Sequence, residues 1–189
     1  ALAIILSLLP GTDRQVRRGR YRFSTTPLST LWCMVAVNRV YVARLAGLVV
    51  LGPDGESVGR VRDVVVSMGI VRHQPRVLGL VVELTTRRRI FVPILRVTSI
   101  EHNSVTLTGA TISLRRFEQR PGEALVLGQI LDTRVRVTDP QLEQLAGVDV
   151  VVVDLAIEQA RSRDWLVTRV AVRHRRLGRR TTVHVVDWQ

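Results

Sequence analysis

Val58–Ser67 reads VGRVRDVVVS: apolar and polar residues alternate as far as Asp63, and an unbroken valine run follows up to Ser67. Alternation with a period of two marks a strand with one wet face, and the continuous run marks the same strand entering a core. Valine loses rotamer freedom in a helix and packs well on a pleated surface, which favours the same assignment. Upstream, Leu48–Leu51 is apolar and stops at Gly52-Pro53-Asp54-Gly55, a strong turn sequence. Downstream, a polar break at His73-Gln74-Pro75 precedes Arg76–Leu84 (RVLGLVVEL). Ile90–Pro93, Val97–Ile100 and, across the turn at His102-Asn103, Ser104–Thr108 complete the set. Short strands so closely spaced, with almost no helical periodicity, predict a small closed β-barrel.

The composition agrees with an all-β protein. The chain has 189 residues, enough for one large domain or two small ones. It is 46% hydrophobic and only 4% aromatic, which excludes intrinsic disorder, and its single cysteine, Cys33, excludes a disulfide scaffold. No apolar run approaches the roughly 20 residues of a membrane-spanning helix. The 28 basic residues are all arginine and outnumber 16 acidic ones, for a net charge of +12. Exchange of lysine for arginine in a GC-rich genome accounts for such a bias. An acidic partner is the functional reading, because the planar guanidinium fork binds phosphate and carboxylate through paired hydrogen bonds.

The barrel pattern occurs twice. Gly59-Arg-Val-Arg-Asp63 followed by valines is matched by Gly147-Val-Asp149 followed by valines, which aligns Asp63 with Asp149. Val77-Leu-Gly-Leu-Val-Val is matched by the strand opening at Trp165, and Leu45-Ala46-Gly47 by Leu127-Gly128. The Pro53-Asp54-Gly55 turn gives way to Thr138-Asp139-Pro140, where a capped short helix is expected before Gly147. The division that follows is a tail or over-extended start at 1–39, a first barrel at 40–112, a polar linker at 113–123 and a second barrel at 124–189. The second copy lacks a counterpart of the last two strands of the first, so its barrel is expected to be incomplete at the C-terminus, with natural continuation beyond Gln189. In the tail, an apolar Ala1–Pro10 precedes Arg14, Arg17, Arg18, Arg20 and Arg22, the reverse of the order in a secretory signal.

The G-x-V-x-D-V-V-V motif at Gly59–Val66 follows Asp54-Gly55-Glu56. It is itself followed by Val77–Val82 and closed by Phe91-Val92-Pro93. This order resembles the PRC-barrel family, best over about residues 43–110 and less well over 124–189. The family includes the reaction-centre H subunit domain and the C-terminal domain of the ribosome maturation factor RimM. The tandem arrangement is most similar to the front of actinobacterial proteins in which PRC barrels precede a magnesium-transporter (MgtE-type) intracellular domain and CBS domains. The resemblance implies a cytoplasmic module, free or peripheral to the inner face of the plasma membrane. Its implied role is non-catalytic and regulatory, docking onto other domains of a longer magnesium-transport-related protein or onto another protein. The alternative it implies is a ribosome- or RNA-associated module.

No catalytic or metal constellation is legible, and no cofactor or small-molecule substrate is predicted. His73, His102, His174 and His184 lack the close spacing of zinc ligands. Cys33 has no motif partner, and Asp63 and Asp149 read as structural acids that accept a turn hydrogen bond or pair with Arg60 or Arg62. The candidate site is a pair of arginine-rich hairpin turns: Arg87, Arg88 and Arg89 in the first copy, Arg173, Arg175, Arg176, Arg179 and Arg180 in the second. Equivalent hairpins of a repeat lie at equivalent rims, so the two clusters are expected to grip an acidic partner: a protein, RNA or an anionic membrane surface.

Overall fold

A computed structural model describes residues 39–68, 74–109, 112–137, 147–174 and 182–188. The tail at 1–38, the expected helix after Asp139 and the turn carrying Arg175, Arg176, Arg179 and Arg180 lie outside these residues.

The chain is all-β. The first copy runs β1 (Arg39–Tyr41), a single helical turn α1 (Val42–Leu45), β2 (Val49–Leu51), β3 (Ser57–Ser67), β4 (Arg76–Leu84) and β5 (Arg89–Pro93). A 3₁₀ turn at Ile94–Arg96 leads into the hairpin β6 (Val97–Ile100) and β7 (Ser104–Leu107). The second copy repeats the plan: β8 (Glu123–Leu125), a one-turn π-helix at Val126–Ile130, β9 (Arg134–Arg136), β10 (Asp149–Gln159), β11 (Trp165–His174) and β12 (Thr182–Asp187). All twelve strands belong to one hydrogen-bonded sheet, curled into a half-barrel, in which β2–β7 is the parallel pair. Its inner face is one apolar cluster spanning both copies, mainly valine, with Leu45, Leu80, Ile90, Leu155 and Ile157 among the most buried side chains. Full burial of such a side chain contributes about 1.5–3 kcal/mol. Among the described residues no helix is long and apolar enough to cross a membrane.

The two copies do not stand side by side as independent units: they exchange their opening strands. β8, the first strand of the second copy, pairs with the end of β3 through Val65↔Leu125, Val66↔Ala124 and Ser67↔Glu123. Reciprocally, β1 pairs with the end of β10 through Ala156↔Tyr41, Ile157↔Val40 and Glu158↔Arg39. Arg39, assigned by sequence to the tail, thus begins a strand and forms an ion pair with Glu158. The direct β4–β11 contact is slight by comparison, a single pair Leu166↔Arg76 supported by the Arg76–Asp164 ion pair.

The exchange corrects the register read from the sequence. β3 carries a bulge between Val61 and Asp63, and β10 carries one between Val152 and Asp154, each at the same step of its hairpin. Asp63 is therefore matched by Asp154, whereas Asp149 lies at the exposed start of β10 in an ion pair with Arg136 at 3.1 Å. Likewise Gly47 N donates to Val61 O and Asp132 N to Val152 O, both at 2.8 Å. Asp132, rather than Gly128, thus fills the left-handed position of Gly47, with φ of 62° against 81°.

Each bulge turns its carboxylate onto the opening turn of the other copy. Asp63 Oδ1 accepts from Leu127 N at 2.8 Å and Oδ2 from Gly128 N at 2.9 Å, while Asp154 Oδ1 accepts from Ala43 N at 2.9 Å. Each also accepts from the amide that follows it, Val64 N and Leu155 N, at 2.8 Å. Removing the acceptor leaves these amides unpaired, so Asp154→Ala is expected to lower unfolding free energy by about 2 kcal/mol. Asp149→Ala is expected to stay within about 0.5 kcal/mol, since its ion pair is exposed. Urea denaturation of the two variants checks the assignment; equal losses would restore the register read from the sequence.

Candidate anion-binding cleft

The β4–β5 hairpin turns through Thr85, Thr86 and Arg87, with Arg87 N donating to Leu84 O at 2.9 Å and Leu84 N to Arg88 O at 2.8 Å. The β2–β3 connection has the same form: Gly55 N bonds to Gly52 O at 3.0 Å and Gly52 N to Glu56 O at 2.8 Å. Such a loop needs its third residue in the left-handed region. Gly55 supplies it at φ 80°, and in the β4–β5 hairpin Arg87 occupies it at φ 62°. A side chain there costs about 1 kcal/mol that glycine avoids.

This hairpin forms one wall of an open cleft of about 1340 Å³. The opposite wall is the exchanged segment of the second copy, with Leu125, Leu127 and Gly128. The rest is the stretch read as a solvated linker. Arg116 forms an antiparallel bridge with Ile90, Phe117 N donates to Arg89 O at 2.8 Å, and the Phe117 ring stacks on Phe91 at 6.1 Å and 24°. Five arginines line the cleft: Arg87, Arg88 and Arg89, which the sequence singled out, together with Arg62 and Arg116. Arg62 and Arg89 both reach Glu83 Oε2, at 3.0 and 3.4 Å. The hydrogen bond from Arg62 and the positive charge of both arginines hold the Glu83 carboxyl below its usual range. Among the described residues, Arg87, Arg88 and Arg116 meet no carboxylate at ion-pair distance, so their guanidiniums remain available to an incoming anion.

At the floor lies Asp63, the buried charged side chain of the described residues. Burial pushes its carboxyl above the ordinary aspartate value, against the hydrogen bonds from Leu127, Val64 and Gly128 and the charge of Arg89. Asp154 is raised by burial in the same way against the amides of Ala43, Leu155 and Val42. Asp63 is thus paired with backbone amides rather than with either arginine that the sequence offered; Arg60 bonds to Gly47 O at 3.1 Å. A Cβ at Gly128 would come within 3.1 Å of Asp63 Oδ2, so a larger residue there would have to shift that carboxylate by a few tenths of an ångström.

Of the second arginine cluster, Arg173 is described, near the end of β11 opposite Val183. The structure does not bring it into the cleft. His102 Nδ1 lies 2.7 Å from the Arg44 guanidinium, and His174 and His184 lie on β11 and β12. Among the described residues no three His, Cys, Asp or Glu side chains form a metal-binding group. Arg116 and Phe117 escaped the sequence reading; the Arg-Arg-Phe run within Ser113–Glu123 was the one available signal.

The family model for the Actinomycetes SH3 domain matches residues 124–189. That stretch is less than half of the chain and corresponds to the second copy, from within β8 through β12. No curated protein matches the chain.

Two outcomes follow for the cleft. The Asp63 carboxyl should titrate above 3.8 by NMR. Because its folded-state value is raised, its contribution to stability is whole below the unfolded-state value and is lost as pH rises through the folded-state one. Arg87→Gly should raise stability by roughly 0.5–1 kcal/mol in urea denaturation by relieving the backbone, while removing one cationic group.

Proposed function

We propose that the chain is a non-catalytic interaction module whose arginine cleft grips an acidic segment of a partner protein. The observation that carries the proposal is the set of three guanidiniums, Arg87, Arg88 and Arg116, that line one cleft without a carboxylate partner among the described residues. Arg62 and Arg89 add charge that Glu83 only partly offsets. The carboxylate oxygens of Asp63 are occupied by three backbone N–H groups, so it is not offered as a base.

The likeness of residues 124–189 to an SH3 domain family fits an interaction role without importing its usual ligand. Proline-rich segments dock into grooves lined by aromatic rings. Residues 124–189 contain two aromatic side chains, Trp165 and Trp188, and Trp165 is buried. In the setting that the PRC-barrel resemblance implies, the partner is another domain of a longer magnesium-transport-related protein on the cytoplasmic side. The cleft would serve docking there rather than cation binding, since five guanidiniums repel a divalent cation. An RNA partner is less favoured, because base stacking needs exposed rings and Phe117 is engaged by Phe91.

Titration with labelled hexaglutamate and hexauridylate across a salt series tests the proposal. Saturable hexaglutamate binding, weakened about tenfold or more in the combined variant Arg87→Ala, Arg88→Ala, Arg116→Ala, is the expected result; a tenfold loss is about 1.4 kcal/mol. Tighter hexauridylate binding with the steeper salt dependence would replace the protein partner with RNA. Hexaglutamate binding unchanged by the triple variant would remove the cleft from the account.

A further inference from the structure

The hairpins that close the two repeats differ at their outer edges. On β5 that edge is occupied by the chain itself, through the Arg116–Ile90 bridge, the Phe117 N–H on Arg89 O and the ring of Phe117 over Phe91. The registers make β12 the counterpart of β5. Val82↔Ile90 and Leu80↔Val92 in the first copy correspond to Val172↔His184 and Val170↔Val186 in the second. The places of Arg89 and Phe91 are therefore held by Val183 and Val185. These two valines are 54% and 50% exposed. As Arg89 does on β5, they direct their backbone groups away from the neighbouring strand, and among the described residues β12 pairs with β11 alone. An open edge bearing apolar side chains is a template for an added strand.

We infer that the outer edge of β12 accepts an extended acidic segment of a partner protein. This segment would run antiparallel and set an aromatic ring over Val185, as Phe117 lies over Phe91. The register comes from the chain's own cover of β5: one residue opposite His184, the next donating its N–H to Val183 O and carrying the ring. The charge comes from the strand behind. In the first copy Glu83 lies across from Arg89, and the covering segment is basic, with Arg115 and Arg116. In the second copy Arg173 lies across from Val183 in the place of Glu83, and it meets no carboxylate at ion-pair distance among the described residues. The sign of the complementary segment is reversed accordingly. This surface is separate from the arginine cleft.

The probe is a fluorescent peptide of residues 113–119 with Arg115→Glu and Arg116→Glu, read by anisotropy against the full chain. Saturable binding is expected, with amide hydrogen exchange slowed at Val183 and Val185. A loss of about tenfold or more is expected from Phe117→Ala in the peptide, and likewise from Arg173→Glu or Val185→Asp in the protein. Val185 is exposed and Arg173 half-buried, and circular dichroism selects the variants that keep the fold. Absence of saturable binding overturns the inference, as does equal affinity for the unsubstituted peptide or for the Val185→Asp chain. Protection that appears at Arg87–Arg89 instead of Val183 and Val185 also overturns it, while leaving the cleft proposal standing.

Discussion

Two carboxylates, Asp63 buried and Asp154 half-buried, hold the molecule in register. A bulge in each long strand swings Asp63 and Asp154 out of the ladder, and each receives the amides that open a short turn in the other copy. Amides at the start of a helical turn have no acceptor within the turn. A carboxylate withdrawn from water needs donors. Each deficit is met by the other. Behind the two turns lie Val42, Leu45, Val126 and Ile130, all buried, so the same contact that satisfies polar groups seals the apolar interior shared by both repeats. Burial still leaves both carboxyls raised, so the amides offset only part of the cost of withdrawing them from water.

The strands were legible wherever polar punctuation bounded an apolar run. Arg76–Leu84 and Val97–Ile100 have the limits their sequences suggest, because Pro75 and the His102-Asn103 turn leave no other choice. The repeat was legible as a fact but not in its register. In Gly147–Val153 the valines succeed one another without a mark, so the eye aligns on the first acid, Asp149, whereas the matching bulge falls one acid later at Asp154. The strand exchange was hidden, since Val40 pairing with Ile157 is a contact between distant residues that no local pattern announces.

The arginine cleft was half visible for the same reason. Arg87, Arg88 and Arg89 are contiguous and declare themselves by charge. Arg62 arrives from the middle of β3 and Arg116 from a stretch that composition alone assigns to solvent. Duplication then let two equivalent surfaces diverge. Glu83 and Arg173 hold one position in the plan, as do Phe91 and Val185. On one surface the chain itself covers the outer edge of β5, while on the other, among the described residues, β12 pairs with β11 alone.

The reciprocal exchange has a consequence for how the chain comes apart. A protease cut between the repeats would not release two bodies, because each fragment would still keep its own first strand woven into the other fragment's sheet. Separation requires both crossings to be withdrawn at once. The covalent connection therefore brings the repeats together, while the interlacing, rather than the peptide bond, keeps them from parting.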